Sequence, residues 1–194
     1  MRRSVLLLGA ALLAAAALVP KAAHAQTIVS LGKGLAHDCF MYAKAGVDPY
    51  DGVEICNQSI DHEALTIKDR AATFDNRGVM LDLLGRSEKA ADDFHHAMAL
   101  DGTLGDPYVN LGSVLIKQKH YDEALESINK GLELGMSFPH IGYYDRAVAY
   151  QLLGRYKEAY YDYKKTLELE PNFTQASDRL KDFTVTRTPA KVPG

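Results

Sequence analysis

Two cysteines, Cys39 and Cys56, are the whole thiol inventory of this 194-residue chain, and they stand 17 positions apart. A thiol pair can close a structural disulfide, shuttle electrons, or help to hold a metal. A thiol oxidoreductase presents Cys-x-x-Cys at a helix start, and a structural zinc site needs four ligands at short paired spacings. Neither pattern is present, although His37-Asp38-Cys39 offers a neighbour that could tune a thiolate or join a coordination shell. The seven histidines add little. His95 and His96 are adjacent on one expected helix and point about 100° apart, too far to share a metal face; His24, His37, His62, His120 and His140 are scattered. There is no His-Glu-x-x-His, no Gly-x-Ser-x-Gly, no phosphate-binding glycine loop and no dinucleotide fingerprint. The residue types point away from an enzyme: no catalytic group, metal site or cofactor is expected.

The compartment favours the disulfide reading of the pair. Met1-Arg2-Arg3 is a basic start, Val5 to Val19 is an almost pure Leu and Ala run, and Ala23-His24-Ala25 places small residues where a signal peptidase reads them. The run is 15 residues long, short of the roughly 20 that span a bilayer. Residues 1–25 therefore read as a cleaved export signal, with a mature chain from Gln26 that is periplasmic or secreted. In an exported chain an even cysteine pair is most often bridged, and closing a loop of this length is worth about 3 kcal/mol in the chain-entropy picture. Loss of three basic residues and no acid leaves 19 basic against 25 acidic side chains, a net charge of −6. No basic run exists to release counterions from a polyanion, which argues against nucleic acid and against anionic membrane surfaces.

The elements that carry these residues show an internal period. Ala90, Ala124 and Ala159 lie 34 and 35 residues apart in similar surroundings. The first unit places Phe74, Gly78, Leu81, Gly85, Phe94, Ala97 and Leu100 around its alanine. The second places Tyr108, Gly112, Leu115, Tyr121, Ile128, Gly131 and Leu134, and the third Tyr143, Ala147, Tyr150, Gly154, Tyr156, Tyr163, Leu169 and Pro171. Apolar residues at helical spacing predict two helices per unit, and the small residues Gly78 with Ala90, Gly112 with Ala124 and Ala147 with Ala159 predict where the paired backbones cross. Gly85 and Gly154 suit the left-handed residue that ends a helix; Lys119 replaces it in the middle unit, so that turn is the least secure.

This pattern over residues 71–171 resembles the tetratricopeptide repeat family, whose unit is a helix-turn-helix of 34 residues. The resemblance implies an all-α fold: a right-handed α-solenoid of three repeats over 71–104, 105–138 and 140–173. Before them, residues 26–66 read as a helical hairpin, Leu35 to Ala45 and Tyr50 to Leu65 about Gly46-Val47-Asp48-Pro49, which brings Cys39 and Cys56 to a similar height. After them, Phe173, Ala176, Leu180 and Phe183 make one apolar stripe, so 172–183 is expected to be a capping helix and 184–194 a flexible tail. Gly102 and Met136 replace the family's usual Pro, Thr166 its usual Ala, and one residue is added within Gly135 to His140.

Family members bind partners on the concave side, which the first helix of each unit lines. By position this nominates Asp75, Asn76, Val79 and Asp82 from the first unit. Val109, Asn110, Ser113, Ile116 and Lys117 follow from the second, and Tyr144, Asp145, Val148 and Gln151 from the third. Asn76 and Asn110 fall where many of these repeats bond a ligand backbone, although Asn there can also merely bridge neighbouring hairpins. The basic side chains with which some members clamp a chaperone's terminal carboxylate are replaced by Ala72, Ile141 and Asp145, so a slight preference for neutral or basic segments is expected. The resemblance implies a protein or peptide partner and an interaction role; a structural subunit of an envelope complex, or a homo-oligomer whose groove another copy fills, are the alternatives. Tyr144, Tyr160 and Tyr161 lie outside the repeat's core positions and are expected to touch the capping helix or a partner.

Overall fold

The computed structural model describes residues 34–183. The expected export signal and C-terminal tail lie outside these residues. Within them the chain is all-helical: α1 (Leu35–Ala45), α2 (Pro49–His62), α3 (Ile67–Leu83), α4 (Ser87–Leu100), α5 (Asp106–Lys117), α6 (Tyr121–Leu134), α7 (Pro139–Leu152), α8 (Tyr156–Leu169) and α9 (Thr174–Leu180). Proline stands at the first turn of α2, α5 and α7, where its missing N–H costs nothing.

The turns inside the three repeats share one chemistry. Gly85 and Gly154 adopt φ of 72° and 74°, and the next residue's N–H reaches back five positions: Arg86 to Leu81 O at 2.9 Å and Arg155 to Tyr150 O at 2.8 Å. Lys119 does the same, at φ 68°, with His120 N–H bonded to Leu115 O at 2.9 Å. The middle turn that lacked its glycine keeps the geometry and carries the strain of a left-handed L-residue.

Successive helices pair antiparallel, α1 with α2, α3 with α4, α5 with α6 and α7 with α8, and each pair packs on the next. The odd-numbered helices also touch in sequence, α1 to α3, α3 to α5 and α5 to α7. Helices α1, α3, α5 and α7 thus form one row, and α2, α4 and α6 each pack between one member of it and the next. Small residues set the spacing as expected. A Cβ on Gly78 would stand 2.5 Å from the Phe94 ring, and one on Gly112 2.3 Å from Ile128 and 3.2 Å from the Ala124 carbonyl. Ala90, Ala124, Ala147 and Ala159 are fully buried. At the base of the second unit the approach is closer still: a Cβ on Gly105 would meet the Gly135 carbonyl at 2.1 Å and the Gly131 carbonyl at 2.5 Å, so that glycine permits the start of α5 to rest on the end of α6.

A polar clasp repeats in the first and third units but not in the second. Arg77 donates Nε and Nη2 to the Asp93 carboxylate, both at 2.7 Å, and Nη1 to Asn57 Oδ1 at 2.8 Å. Arg146 does likewise to Asp162, at 2.7 and 2.9 Å, and to Asn129 at 2.8 Å. Each guanidinium lies over an aromatic ring, Phe74 or Tyr143. Asp93 and Asp162 are buried, so each bidentate pair ties three helices together and leaves no uncompensated charge. The middle unit has Leu111 and Ser127 at these positions, and Ser127 Oγ donates to Tyr108 O instead.

At the N-terminal end Cys39 and Cys56, both fully buried, are joined by a disulfide. Glu63 accepts from Ala36 N and from Ser59 Oγ, both at 2.8 Å, and so caps α1 from the end of its partner helix. Gly52 brings α2 onto Met80 of α3. The second helix starts at Pro49 and stops at His62, three residues short of the expected Leu65, and Glu63 takes up the capping role. At the other end α9 supplies Ala176 to a cluster with Ala147, Ala159 and Tyr163, around which Tyr144, Val148, Phe173 and Leu180 pack. Thr166, in a position expected to be small, is buried and bonds the Asp162 carbonyl.

Candidate functional site

The row of odd-numbered helices encloses an open cavity of about 420 Å³, reaching from α1 across α3 and α5 to α7. α1 contributes Phe40, Ala43 and Lys44; α3 contributes Lys68, Ala72, Asp75, Asn76 and Val79; α5 contributes Asp106, Pro107 and Asn110; and Ile141 of α7, with Met136 to Phe138 of the preceding link, closes the far side. Side chains three and four apart on α3 share one face, which is why Ala72, Asp75, Asn76 and Val79 open together. The extra residue in the link has a role here: Ser137 N–H bonds both oxygens of Asp106, at 3.0 and 3.2 Å, fixing Phe138 and Ile141 at the cavity edge.

Asp75 is the buried polar group of this cavity, 8% exposed. Asn110 Nδ2 donates to its Oδ1 at 2.8 Å; among the described residues nothing donates to Oδ2. Burial, helped by the nearby Asp106 charge and opposed by Asn110, pushes the Asp75 carboxyl up to about 7. Farther along the row Ser113 Oγ donates to Asp145 Oδ2, and burial pushes that carboxyl up to about 6 against the pull of Ser113 and Lys117. Lys117 donates to Asp82 Oδ2 at 2.5 Å, and Ser87 to Asp82 Oδ1 at 2.9 Å.

The residues nominated from sequence divide into three groups. Asp75, Asn76, Val79 and Asn110 line the cavity. Asp82 with Lys117, and Ser113 with Asp145, form bridges between neighbouring helices of the row, so their polar groups are already engaged. The third group is turned inward. Val109 is fully buried with Ala124 and Ile128, because it faces Gly131 of its own hairpin; it offers no surface and is removed from the candidate set. Ile116 packs against the same cluster. Tyr144 and Val148 pack against the cluster that α9 completes, with Tyr144 5.1 Å from the Phe173 ring, and Gln151 Oε1 accepts from Tyr163 Oη at 2.7 Å.

The two asparagines differ. Asn110 bridges α5 to α3 through Asp75, as the alternative reading allowed. Asn76 is half-buried at the cavity wall and makes no side-chain hydrogen bond among the described residues. Tyr160 and Tyr163 approach Phe183 at 5.9 and 6.0 Å, while Tyr161 is exposed.

Sequence reasoning missed the contribution of the N-terminal hairpin to the cavity, above all Lys44 and, on the first turn of α3, Lys68. Both are exposed and stand at its rim. It missed the two clasps as well, although an Arg and an Asp 16 residues apart in the first and third units were a signal in plain view. Among the described residues no three metal-ligating side chains gather, and no helix is long and apolar enough to cross a membrane.

With this geometry in place, the comparisons with known proteins agree on the class. The tetratricopeptide repeat family matches residues 105–134 and again 140–173, so the chain carries tetratricopeptide repeats in a helical solenoid. The wheat (Triticum aestivum) Hsp70-Hsp90 organizing protein is 28% identical over 153 residues, 78% of this chain, and the chain spans about a quarter of that relative, 26%. The first tetratricopeptide domain of Spaghetti (RPAP3), bound to the HSP90 peptide SRMEEVD, is 25% identical with a TM-score of 0.55 over 59% of this chain and 90% of its own. The Arabidopsis OM64 tetratricopeptide domain (22%, TM-score 0.56, 60% and 95% covered) and MamA (18%, TM-score 0.56, 73% and 80%) share the fold.

Proposed function

We propose that this chain is an exported interaction module, periplasmic or secreted after loss of residues 1–25, that holds a peptide segment of a partner protein in the cavity between α1, α3, α5 and α7. The observation that carries this reading is the open, mixed apolar and polar cavity in which Asn76 and Asp75 Oδ2 keep hydrogen-bonding capacity. Phe40, Val79, Phe138 and Ile141 supply apolar contact, and an Asn amide can satisfy a main-chain N–H and C=O of an extended segment at once. A relative in this structural class has been solved with a bound HSP90 peptide, which supports a peptide as the kind of ligand. The acidic chemistry of that peptide fits the floor poorly, because Ala72, Ile141 and Asp145 offer it no cation there and Lys44 and Lys68 stand at the rim; neutral or basic segments fit the floor better.

Affinity capture from the exported fraction tests this. A partner retained by the chain and lost by Asn76→Ala supports the site. Asn76→Ala is the sharper control because Asn110→Ala would also strip Asp75 of its donor. A partner that binds both forms equally sinks the groove reading.

A further inference from the structure

We infer that Asp75 is a receptor for a cationic side chain, the ammonium or guanidinium of a Lys or Arg on the partner segment. The inference rests on the groove reading above and adds the chemistry of its floor.

Three observations carry it. Asp75 is more than nine-tenths buried, yet it lines the cavity, and among the described residues its Oδ2 receives no hydrogen bond while Asn110 holds Oδ1. A largely buried carboxylate whose second oxygen opens onto a groove can take a hydrogen bond from a ligand seated there, and a charged donor makes the strongest one. Its charged surroundings point the same way. The nearby charge acting on it is the Asp106 carboxylate, a second acid whose bonds to Ser137 hold it in place. The cavity's cations, Lys44 from α1 and Lys68 from α3, are exposed at the rim. Asn110 of α5 is neutral, and α7 brings Ile141 to the lining. A cation reaching the floor meets two carboxylates.

The proton balance follows. With Asp75 titrating at about 7, its ionised form dominates at pH 8 and its neutral form at pH 5.5. A Lys or Arg ligand stays charged across that range, so binding displaces a proton from Asp75 and none from the ligand. Affinity for such a segment falls about tenfold or more from pH 8 to pH 5.5.

The experiment uses the purified chain, disulfide intact, on an array of random dodecapeptides lacking His, probed at pH 8 and pH 5.5. Bound peptides are then resynthesised with norleucine for Lys and citrulline for Arg. Enrichment of Lys and Arg, a tenfold or larger loss on neutralising one of them, a tenfold weakening at pH 5.5, and loss of both effects in Asp75→Asn are the expected results. Asp75→Asn keeps the acceptor for Asn110, and its helicity is checked by circular dichroism. Carboxyl-carbon NMR of the unmodified chain gives a reading that needs no variant: a saturating Arg peptide lowers the Asp75 midpoint. Peptides that bind with no basic preference, or a pH slope that survives in Asp75→Asn with an unmoved midpoint, overturn this inference and leave the groove reading standing. If no binding responds to Asn76→Ala, both fall.

Discussion

The row of odd-numbered helices meets its two ends differently. At the C-terminal end α9 packs Ala176 and Leu180 into the cluster that holds Tyr144 and Val148, so side chains that pattern assigns to a ligand are absorbed by the chain itself. Toward the N-terminal end α1 packs against α3 but leaves Phe40, Val79, Asn76 and Asp75 around open space. The same repeat positions therefore pack against the chain's own last helix in one place and line an open cavity in another. A position in the repeat specifies which way a side chain points; what it meets depends on the neighbouring element.

The comparison breaks most sharply if α9 is released. Ala176→Asp places a charge in a fully buried site and is expected to cost about 3 kcal/mol or to undock α9. Hydrogen exchange should then show new exposure across α7 and α8 with little change in α1 to α3. Uniform loss of protection along the chain would contradict the view of two separately closed ends.

At the opposite end, replacing Cys39 and Cys56 by Ala removes the bridge that pins α1, and with it one wall of the cavity. An effect of about 3 kcal/mol is expected in denaturant unfolding, with weaker peptide binding. An unchanged midpoint would show that Glu63 and the packing of Gly52 on Met80 suffice to hold the hairpin.

The floor of the cavity can be read through pH. Burial raises Asp75 to about 7 and Asp145 to about 6, from an unperturbed 3.8. The folded chain thus binds these protons more tightly than the unfolded one. Their contribution to stability is greatest below about pH 4, falls as pH rises to about 7, and is flat beyond. The loss should be on the order of 2–3 kcal/mol for Asp75, seen as a difference in unfolding free energy between pH 5 and pH 8. Asp75→Asn should flatten it, while Asp145→Asn leaves the larger part. A slope unaltered by Asp75→Asn would place the titration elsewhere.

The smallest effect concerns the middle repeat, which lacks both the glycine turn and the Arg–Asp clasp of its neighbours. Lys119→Gly relieves a left-handed L-residue at φ 68° and should raise stability by about 1 kcal/mol. The same change at an exposed helical lysine would be destabilising, so the sign alone is diagnostic in a thermal melt.

Much of this molecule was legible in its residues because a solenoid is local. Gly78, Gly112, Ala90 and Ala124 announce where helices cross, since any larger side chain there would strike the facing helix. Gly85 and Gly154 announce the turns, since a left-handed backbone disfavours a Cβ. Phe173, Ala176 and Leu180 announce the cap by their spacing. The site was harder to read. Position within the repeat nominated Asp75, Asn76, Val79 and Asn110, which line the cavity, but it also nominated Val109, which the approach of α5 to Gly131 buries.

Periodicity determined the helices, their pairing and their order, because each of these depends on residues close in the chain. The stacking of units decided the rest. Asn110 was committed to Asp75, 35 residues away, Lys117 to Asp82, and Tyr144 to the neighbourhood of α9, while Lys44 was brought to a rim that no pattern assigned it. Those choices depend on how far one hairpin is displaced against the next. Whether a buried carboxylate is fully satisfied or left half open is settled only when distant helices come to rest against each other.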